Sequence, residues 1–278
     1  MYVCGQGRVL KGIDTLVVNN RFPRFVIIVA PKGFGKRVMS DYIARGLHAN
    51  FIPCESTVES VRNVIVDSYA VADKTVYMFA DADDMSIIAK NALLKVTEEP
   101  PNDAYFIMTV SDISNVLDTL ISRGTFIHLD PYTVDDLKEF TSYKRYEFTD
   151  EAKKIVYQIC ACPQDITTAA ETDIVAVYNL AESFVKYIGK ANLANELKIT
   201  TKLKLKDSAE GIDPLMFLRC IILSCANLVI NKGELQYEPV IKLVSQSIKS
   251  LCTKGCNKQS IIDNCIMNAN LLVTGGEL

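Results

Sequence analysis

The sequence lacks several features that would place the protein in a special class. No apolar run approaches the roughly 20 residues that a membrane-spanning helix needs, and the first residues lack the basic and then apolar layout of a signal peptide. The 30 basic and 33 acidic residues give a net charge of −3, so the chain has no overall positive field for nucleic acid. A chain of 278 residues, 49% hydrophobic, should instead form a globular cytoplasmic protein of two or three compact units.

The cysteines do not follow the patterns of disulfide-bonded or zinc-binding proteins. They number nine and are scattered along the chain, which in a reducing compartment is typical of small buried apolar residues. Cys252 and Cys256 have a spacing that could pair on a metal, and Cys160 and Cys162 lie close together. No histidine cluster or second CxxC motif accompanies either pair. We therefore expect no zinc and no metal site built from these cysteines.

Residues 76–124 contain two continuous apolar runs, each followed by a segment with helical periodicity. The runs cover residues 76–80 and 105–110, and the first helical segment is closed by Pro100 and Pro101. Strands that are apolar throughout, rather than alternating in polarity, are typical of a parallel sheet with helices on both faces. The sequence therefore predicts an α/β fold for this half of the chain.

Residues 30–37 read APKGFGKR and follow another apolar run, as an imperfect P-loop would. In the full pattern, GxxxxGK[ST], backbone N–H groups wrap the phosphates of a nucleotide. Gly33, Gly35 and Lys36 match, whereas Ala30 replaces the first glycine and Arg37 replaces the Ser or Thr that binds Mg²⁺. We expect ATP to bind weakly or not at all, and hydrolysis to be inefficient. Binding of Mg²⁺ is left open, as is a tight strand-to-helix turn that binds nothing.

Three short motifs resemble those of a known family. They are NALLK at 91–95, EEPP at 98–101 and SR at 122–123, and in this order and spacing they resemble the AAA+ module of DNA polymerase clamp loaders, especially the bacterial delta-prime and gamma subunits. The resemblance implies an AAA+ P-loop domain with a five-stranded parallel sheet at residues 1–131. It further implies a small helical lid domain at 132–205 and a C-terminal helical collar domain for oligomerisation at 206–278.

The resemblance also implies a Walker B site, where an Asp holds Mg²⁺ and a Glu activates water. Counting back from NALLK without gaps puts these positions on Ala80 and Asp81, and a shift by one residue puts them on Asp81 and Ala82. Neither register keeps both groups. We expect Asp83 and Asp84 to be solvated residues of a turn or helix start.

The remaining nucleotide-site positions of the family are partly kept. Ser111 falls where the family has a polar sensor residue near the γ-phosphate, although a turn role would explain it equally well. Gln164 stands where the lid of the family carries an arginine, the second sensor. Arg123 matches the family's arginine finger, which acts in trans on the ATP of the neighbouring subunit. Taken alone, an arginine at a helix end would be a surface residue.

Lys90 and Lys95 lie on the segment that faces DNA in assembled clamp loaders. The resemblance makes both of them candidates for phosphate contacts. We also expect both to lie on polar faces of the helix, where surface solubility is the simpler explanation.

Several groups that the family uses to hydrolyse ATP are missing from the sequence, whereas the arginine that acts in trans is kept. This favours a non-hydrolysing, delta-prime-like clamp loader subunit that supplies Arg123 to a neighbouring ATPase. Its implied partners are other clamp loader subunits, the sliding clamp and, through the assembled complex, primer–template DNA, with no membrane involved. Two alternatives stay open, an active ATP-hydrolysing clamp loader subunit and a DNA-binding AAA+ adaptor. The sequence therefore does not settle whether the chain is itself an enzyme.

Overall fold

The computed structural model describes residues 2–101, 103–188, 212–252 and 256–274. The chain forms two compact units, one of Met1–Ser142 with Ala161–Asp165 and one of Tyr143–Cys160 with Ile166–Leu278. The division into domains at 1–131, 132–205 and 206–278 stays a prediction. The polar linker predicted at residues 200–211 lies outside the described residues.

The first unit is built on a five-stranded sheet in which every pairing is parallel, as predicted. The strands are β1 (Phe25–Val29), β2 (Asn50–Cys54), β3 (Thr75–Phe79), β4 (Ala104–Val110) and β5 (Thr125–His128). Their order in the sheet is β2-β3-β4-β1-β5, which places β1 between β4 and β5. In the central register, Ile27 of β1 lies opposite Met108 of β4 and Phe126 of β5.

Helices cover both faces of this sheet, because its central strands are apolar on both sides. Side chains such as Ile27 and Phe79 belong to one buried cluster, and side chains such as Val26 and Met39 belong to the other. The burial of both faces is the arrangement expected from continuous apolar strands. The helices are α1 (Gly7–Val18), α2 (Lys36–Gly46), α3 (Val58–Ala70), α4 (Ile87–Glu98), α5 (Asp118–Ile121) and α6 (Val134–Lys144).

Local sequence signals fix the helix ends that matter for the site. The Ser86 hydroxyl accepts a hydrogen bond from the Ala89 N–H at the start of α4, and the two prolines follow its last residue. Before α6, Thr133 and Asp136 form a reciprocal capping box, with the Thr133 N–H donating to the Asp136 carboxylate and the Asp136 N–H donating to the Thr133 hydroxyl.

The second unit is helical in its described part. Helix α9 (Ile174–Tyr187) packs on α10 (Pro214–Lys232), where the Phe184 and Phe217 ring centroids lie 6.3 Å apart. Helix α10 also packs on α11 (Glu238–Leu251). Asp213 caps α10 ahead of Pro214, since its carboxylate accepts from the N–H groups of Leu215 and Met216. The helices are α7 (Asp150–Ile159), α8 (Pro163–Ala170, whose first residues belong to the first unit), α9 (Ile174–Tyr187), α10 (Pro214–Lys232), α11 (Glu238–Leu251) and α12 (Lys258–Thr274).

Helix α10 is long and strongly apolar. A window of 18 of its 19 residues has a mean hydropathy of 1.7, so the helix could cross a membrane by length and composition alone. One face is nevertheless buried against other helices of its unit, including Phe217 and Ile221. Its polar residues also make contacts there, since Arg219 donates to the Ile159 carbonyl and Asn227 to the Tyr178 hydroxyl. We interpret α10 as the core helix of this unit.

Candidate nucleotide site and surface arginine

The P-loop sequence forms the turn between β1 and α2, at the carboxyl end of the parallel strands. Gly33 and Gly35 have positive φ angles of 86° and 81°, a backbone conformation that disfavours residues with a side chain. Gly35 is the N-cap of α2, which begins at Lys36. The two glycines of the motif therefore have the backbone role that a P-loop requires.

The Lys36 side chain is turned back onto its own loop. Its residue is only 8% exposed, and its ammonium group donates to the Ala30 carbonyl at 2.7 Å, to the Ser111 hydroxyl at 2.9 Å and, at 3.4 Å, to the Pro31 carbonyl. Burial lowers the pKa of Lys36, and the negative charge of Asp81 partly opposes this shift. The group that in a working P-loop reaches the phosphates here holds the loop together.

Ser111, the predicted sensor, connects the P-loop to the turn after β3. Its hydroxyl accepts the bond from Lys36, while its N–H donates to the Asp83 carboxylate at 3.1 Å. The Asp112 N–H donates to the same carboxylate oxygen at 3.3 Å. The prediction that Asp83 is a solvated turn residue is wrong, because its carboxylate binds the backbone that follows β4.

The Walker B positions carry no pair of carboxylates in either register. Strand β3 ends at Phe79, after which Ala80 is exposed. Asp81 has a left-handed backbone with φ of 46°, and its N–H donates to the Thr109 hydroxyl. Asp81 and Asp83 both lie near Lys36, and neither register places a Glu beside Asp81 to act as a base.

Lys90 does not lie on an exposed face, which corrects the sequence-based prediction. It is 5% exposed, and its ammonium group donates to the Asp83 carbonyl at 2.9 Å and to the Asn115 carbonyl at 2.5 Å. It thereby links the turn after β3 to the turn after β4, and it is not displayed for a DNA phosphate. Lys95, by contrast, is exposed as predicted.

An aromatic pair, Phe34 and Tyr132, lies at the P-loop. The Tyr132 hydroxyl donates to the Phe34 carbonyl at 2.9 Å, and the two ring centroids are 5.3 Å apart. The cavity next to them has a volume of about 60 Å³. Small-molecule pockets usually span about 300–1,000 Å³, so this cavity by itself is too small for a nucleotide. The cavity is lined by residues that include Cys4, Gln6, Gly35, Met39, Leu129 and Pro163.

The other expected contacts of a nucleotide site are changed as well. Arg37, in place of the Mg²⁺-binding hydroxyl, is exposed at the start of α2. Gln164 and Cys162 pack against the loop, and a Cβ built on Gly33 would lie 2.7 Å from the Cys162 sulfur and 2.9 Å from the Gln164 Cβ. The structure thus places Gln164 beside the P-loop, where the resemblance puts a second sensor.

Within the described ranges, His, Cys, Asp and Glu side chains form no group of three or more that could hold a metal ion. Cys160 and Cys162 are buried, whereas Cys252 and Cys256 are exposed. The absence of zinc from the protein stays a prediction.

Arg123 lies just after α5, at the surface of the first unit. Its side chain is 32% exposed. One guanidinium nitrogen, Nη1, donates to the Thr119 carbonyl and makes a longer contact of 3.4 Å with the Ser122 hydroxyl. The other, Nη2, pairs with the Glu98 carboxylate. The arginine is therefore anchored by groups from α4 and α5 while part of it remains accessible.

The sheet order and the glycine loop before α2 define an AAA+ type α/β P-loop module. Its P-loop has Arg37 in place of the motif's Ser or Thr, and neither Walker B register has a carboxylate pair. Tyr132, Asp83 and Lys90 contribute to the site without having been predicted. The spacing of Lys90 from Leu93 and Thr97 on one helical face could have indicated its burial.

Comparisons with known proteins agree with this class. The family model described as "DNA polymerase III, delta subunit" matches residues 48–133. The chain is 23% identical over 262 residues to the DNA polymerase III subunit gamma of Buchnera aphidicola from Acyrthosiphon pisum, a match that covers 76% of this chain and 72% of the relative. The gamma subunit of Buchnera aphidicola from Schizaphis graminum is 23% identical over 189 residues, or 55% of this chain. The chain spans 52% of that relative.

Among solved structures, the chain is similar to the RuvB Holliday junction branch migration motor of Thermotoga maritima. The TM-score is 0.51 at 18% sequence identity, with 83% of this chain and 78% of the other covered. This similarity supports the AAA+ fold. Together with the sequence matches, it confirms the resemblance to AAA+ clamp loader subunits, without a choice between the delta-prime and gamma types.

Proposed function

We propose that the chain is a non-hydrolysing, delta-prime-like subunit of a DNA sliding-clamp loader. In this role it would not turn over ATP itself and would supply Arg123 in trans to the ATP site of a neighbouring subunit. The observation that carries the proposal is the contrast between two charged groups. The Lys36 ammonium is enclosed by its own loop, whereas the Arg123 guanidinium lies at the surface.

The state of the P-loop supports the absence of turnover. Three acceptors surround the Lys36 ammonium, and the adjoining cavity of about 60 Å³ is far smaller than a nucleotide pocket. Hydrolysis further requires a bound metal and an activated water, and the positions for both have changed at Arg37 and Asp81. We therefore propose that ATP binds weakly or not at all, without a defined Mg²⁺ site.

The surroundings of Arg123 support its action on another subunit. An arginine finger stabilises the charge that develops on the γ-phosphate in the transition state, and it has to protrude from the subunit that supplies it. Arg123 lies at the surface with 32% of its side chain exposed, and it follows a short helix whose Thr119 carbonyl accepts a hydrogen bond from it.

The proposed partners are supported by the relatives, which are subunits of DNA polymerase III. We propose that this chain assembles with other clamp loader subunits and, through the assembly, acts on a sliding clamp and primer–template DNA. Of the two lysines considered for DNA, Lys95 remains a candidate, because it is exposed. A cytoplasmic location accords with a replication protein of this kind.

An active ATP-hydrolysing clamp loader subunit is the second candidate function. It is favoured by the names of the curated relatives, which are gamma subunits, and by the retention of Gly33, Gly35 and Lys36. Steady-state hydrolysis by the purified chain decides between the two. Turnover that Lys36→Ala abolishes would establish the active enzyme, whereas turnover at background level supports the proposal.

The trans role is tested by adding this chain to the ATPase subunits of the same clamp loader, with clamp and primer–template DNA. We expect wild type to stimulate ATP hydrolysis, and Arg123→Ala to assemble but to lose roughly 10³-fold in stimulated kcat. Equal stimulation by the variant would make Arg123 a surface residue and would reduce the chain to a scaffold.

A further inference from the structure

The EEPP and SR motifs, 25 residues apart, meet in one contact between Glu98 and Arg123. Glu98 is the last residue of α4, and the prolines that follow prevent the helix from continuing. This ending fixes where the Glu98 carboxylate is presented. The Arg123 guanidinium is thus held from two sides, by the Glu98 carboxylate and by the Thr119 carbonyl of its own helix.

An arginine that must meet a phosphate benefits from such a restraint. A long side chain at a surface samples many rotamers. Restricting it to one rotamer when the subunits dock costs conformational entropy, which opposes the reaction that the arginine assists. A contact that orders it beforehand removes part of this cost. Contacts that hold a catalytic group in a productive orientation act mainly on kcat.

The same contact leaves Arg123 able to engage a phosphate. A guanidinium has five N–H donors, and in the described residues Arg123 uses three acceptors, on Glu98, Thr119 and Ser122. The Glu98 side chain is 49% exposed, so the ion pair is weak and screened by salt. A multiply charged phosphate can add to this arrangement or compete with the single carboxylate.

We infer that Glu98 is a positioning residue for Arg123, which orients the guanidinium toward the neighbouring subunit's nucleotide. This inference rests on the proposed function, since it needs Arg123 to act in trans. The residue itself contacts no substrate and acts through the arginine. The adjacent Glu99 offers a matched control, because it is an exposed residue of the same type and charge whose side chain lies outside the Arg123 contacts.

The test uses the reconstituted clamp loader with clamp and primer–template DNA, and it measures stimulated kcat and the concentration of this chain that gives half-maximal stimulation. We expect Glu98→Ala to lower kcat by roughly fivefold without changing the half-maximal concentration. Glu98→Gln should largely restore kcat, because its amide oxygen still accepts the hydrogen bond. Glu99→Ala should match wild type, and Glu98→Ala should have no further effect in an Arg123→Ala background.

The inference is overturned if Glu98→Ala matches Glu99→Ala or raises kcat, which would make the ion pair irrelevant or inhibitory. It is also overturned if Glu98→Gln restores nothing, or if the half-maximal concentration rises, since the contact would then serve assembly. The proposed function fails separately, through normal stimulation by Arg123→Ala. If Arg123→Ala loses stimulation while Glu98→Ala behaves like wild type, only the positioning role of Glu98 is excluded.

Discussion

The structure gives Lys36 a role in stability that a nucleotide-binding lysine does not need. Replacement by methionine keeps an unbranched side chain and removes the ammonium, which leaves the Ala30 carbonyl and the Ser111 hydroxyl without their donor. A hydrogen bond from a charged group contributes about 1.5–3 kcal/mol, and the third contact at 3.4 Å adds little. The substitution also removes a buried charge and its desolvation cost, which offsets part of the loss in stability.

We therefore expect Lys36→Met to lower the free energy of unfolding by roughly 2–4 kcal/mol, or the melting temperature by on the order of 5–10 °C. The control is Lys32→Met, which changes an exposed lysine of the same loop and should stay within about 0.5 kcal/mol of wild type. Urea unfolding followed by circular dichroism measures both. Equal stability of the two variants would refute the conclusion that Lys36 holds the loop.

The pH dependence supplies a second check on Lys36. Burial lowers its pKa in the folded state, so between that value and the ordinary lysine pKa of about 10.4 the unfolded chain binds a proton that the folded chain does not. Stability should therefore rise with pH in this window. The difference in stability between wild type and Lys36→Met isolates this contribution and should grow with pH there. A difference that is constant with pH would contradict the burial.

Two further predictions concern positions around the same site. Gly33→Ala should destabilise by roughly 2–4 kcal/mol, because it needs a positive φ and meets Cys162, whereas Gly12→Ala in the open middle of α1 should be neutral or stabilising by about 1 kcal/mol in the same urea assay. Lys90→Met should cost about 1–3 kcal/mol, while Lys95→Met should cost less than about 0.5 kcal/mol. Equal costs within either pair would contradict the described contacts.

The sheet was predictable because its central strands are apolar at nearly every position, with Thr75 and Thr109 as the polar exceptions in β3 and β4. Residues 76–80 and 105–110 predicted strands that the structure places at Thr75–Phe79 and Ala104–Val110, paired in parallel. The glycines of the P-loop were equally informative, since positive φ angles are what such a motif demands. These features depend on local sequence, which is why they could be predicted.

The enclosure of the site depended on contacts between distant parts of the chain. The bond from Tyr132 to the Phe34 carbonyl spans 98 residues, and nothing in either segment indicates the other. A lysine in a helix predicts polar surface, whereas the spacing of Lys90 from Leu93 places it on the buried face of α4. A buried lysine is accepted only where acceptors surround it, and those acceptors come from loops that the sequence does not locate.

The central claim is that the chain acts through Arg123 and not through its own P-loop. The most direct test measures ATP hydrolysis by the partner ATPase subunits, with clamp and primer–template DNA. This chain is added at a saturating concentration as wild type, Lys36→Met or Arg123→Ala, and the assembly of each is verified. The account predicts that Lys36→Met stimulates like wild type and that Arg123→Ala loses roughly 10³-fold in kcat. Loss of stimulation by Lys36→Met while Arg123→Ala remains active would contradict it and would assign the function to the chain's own nucleotide site.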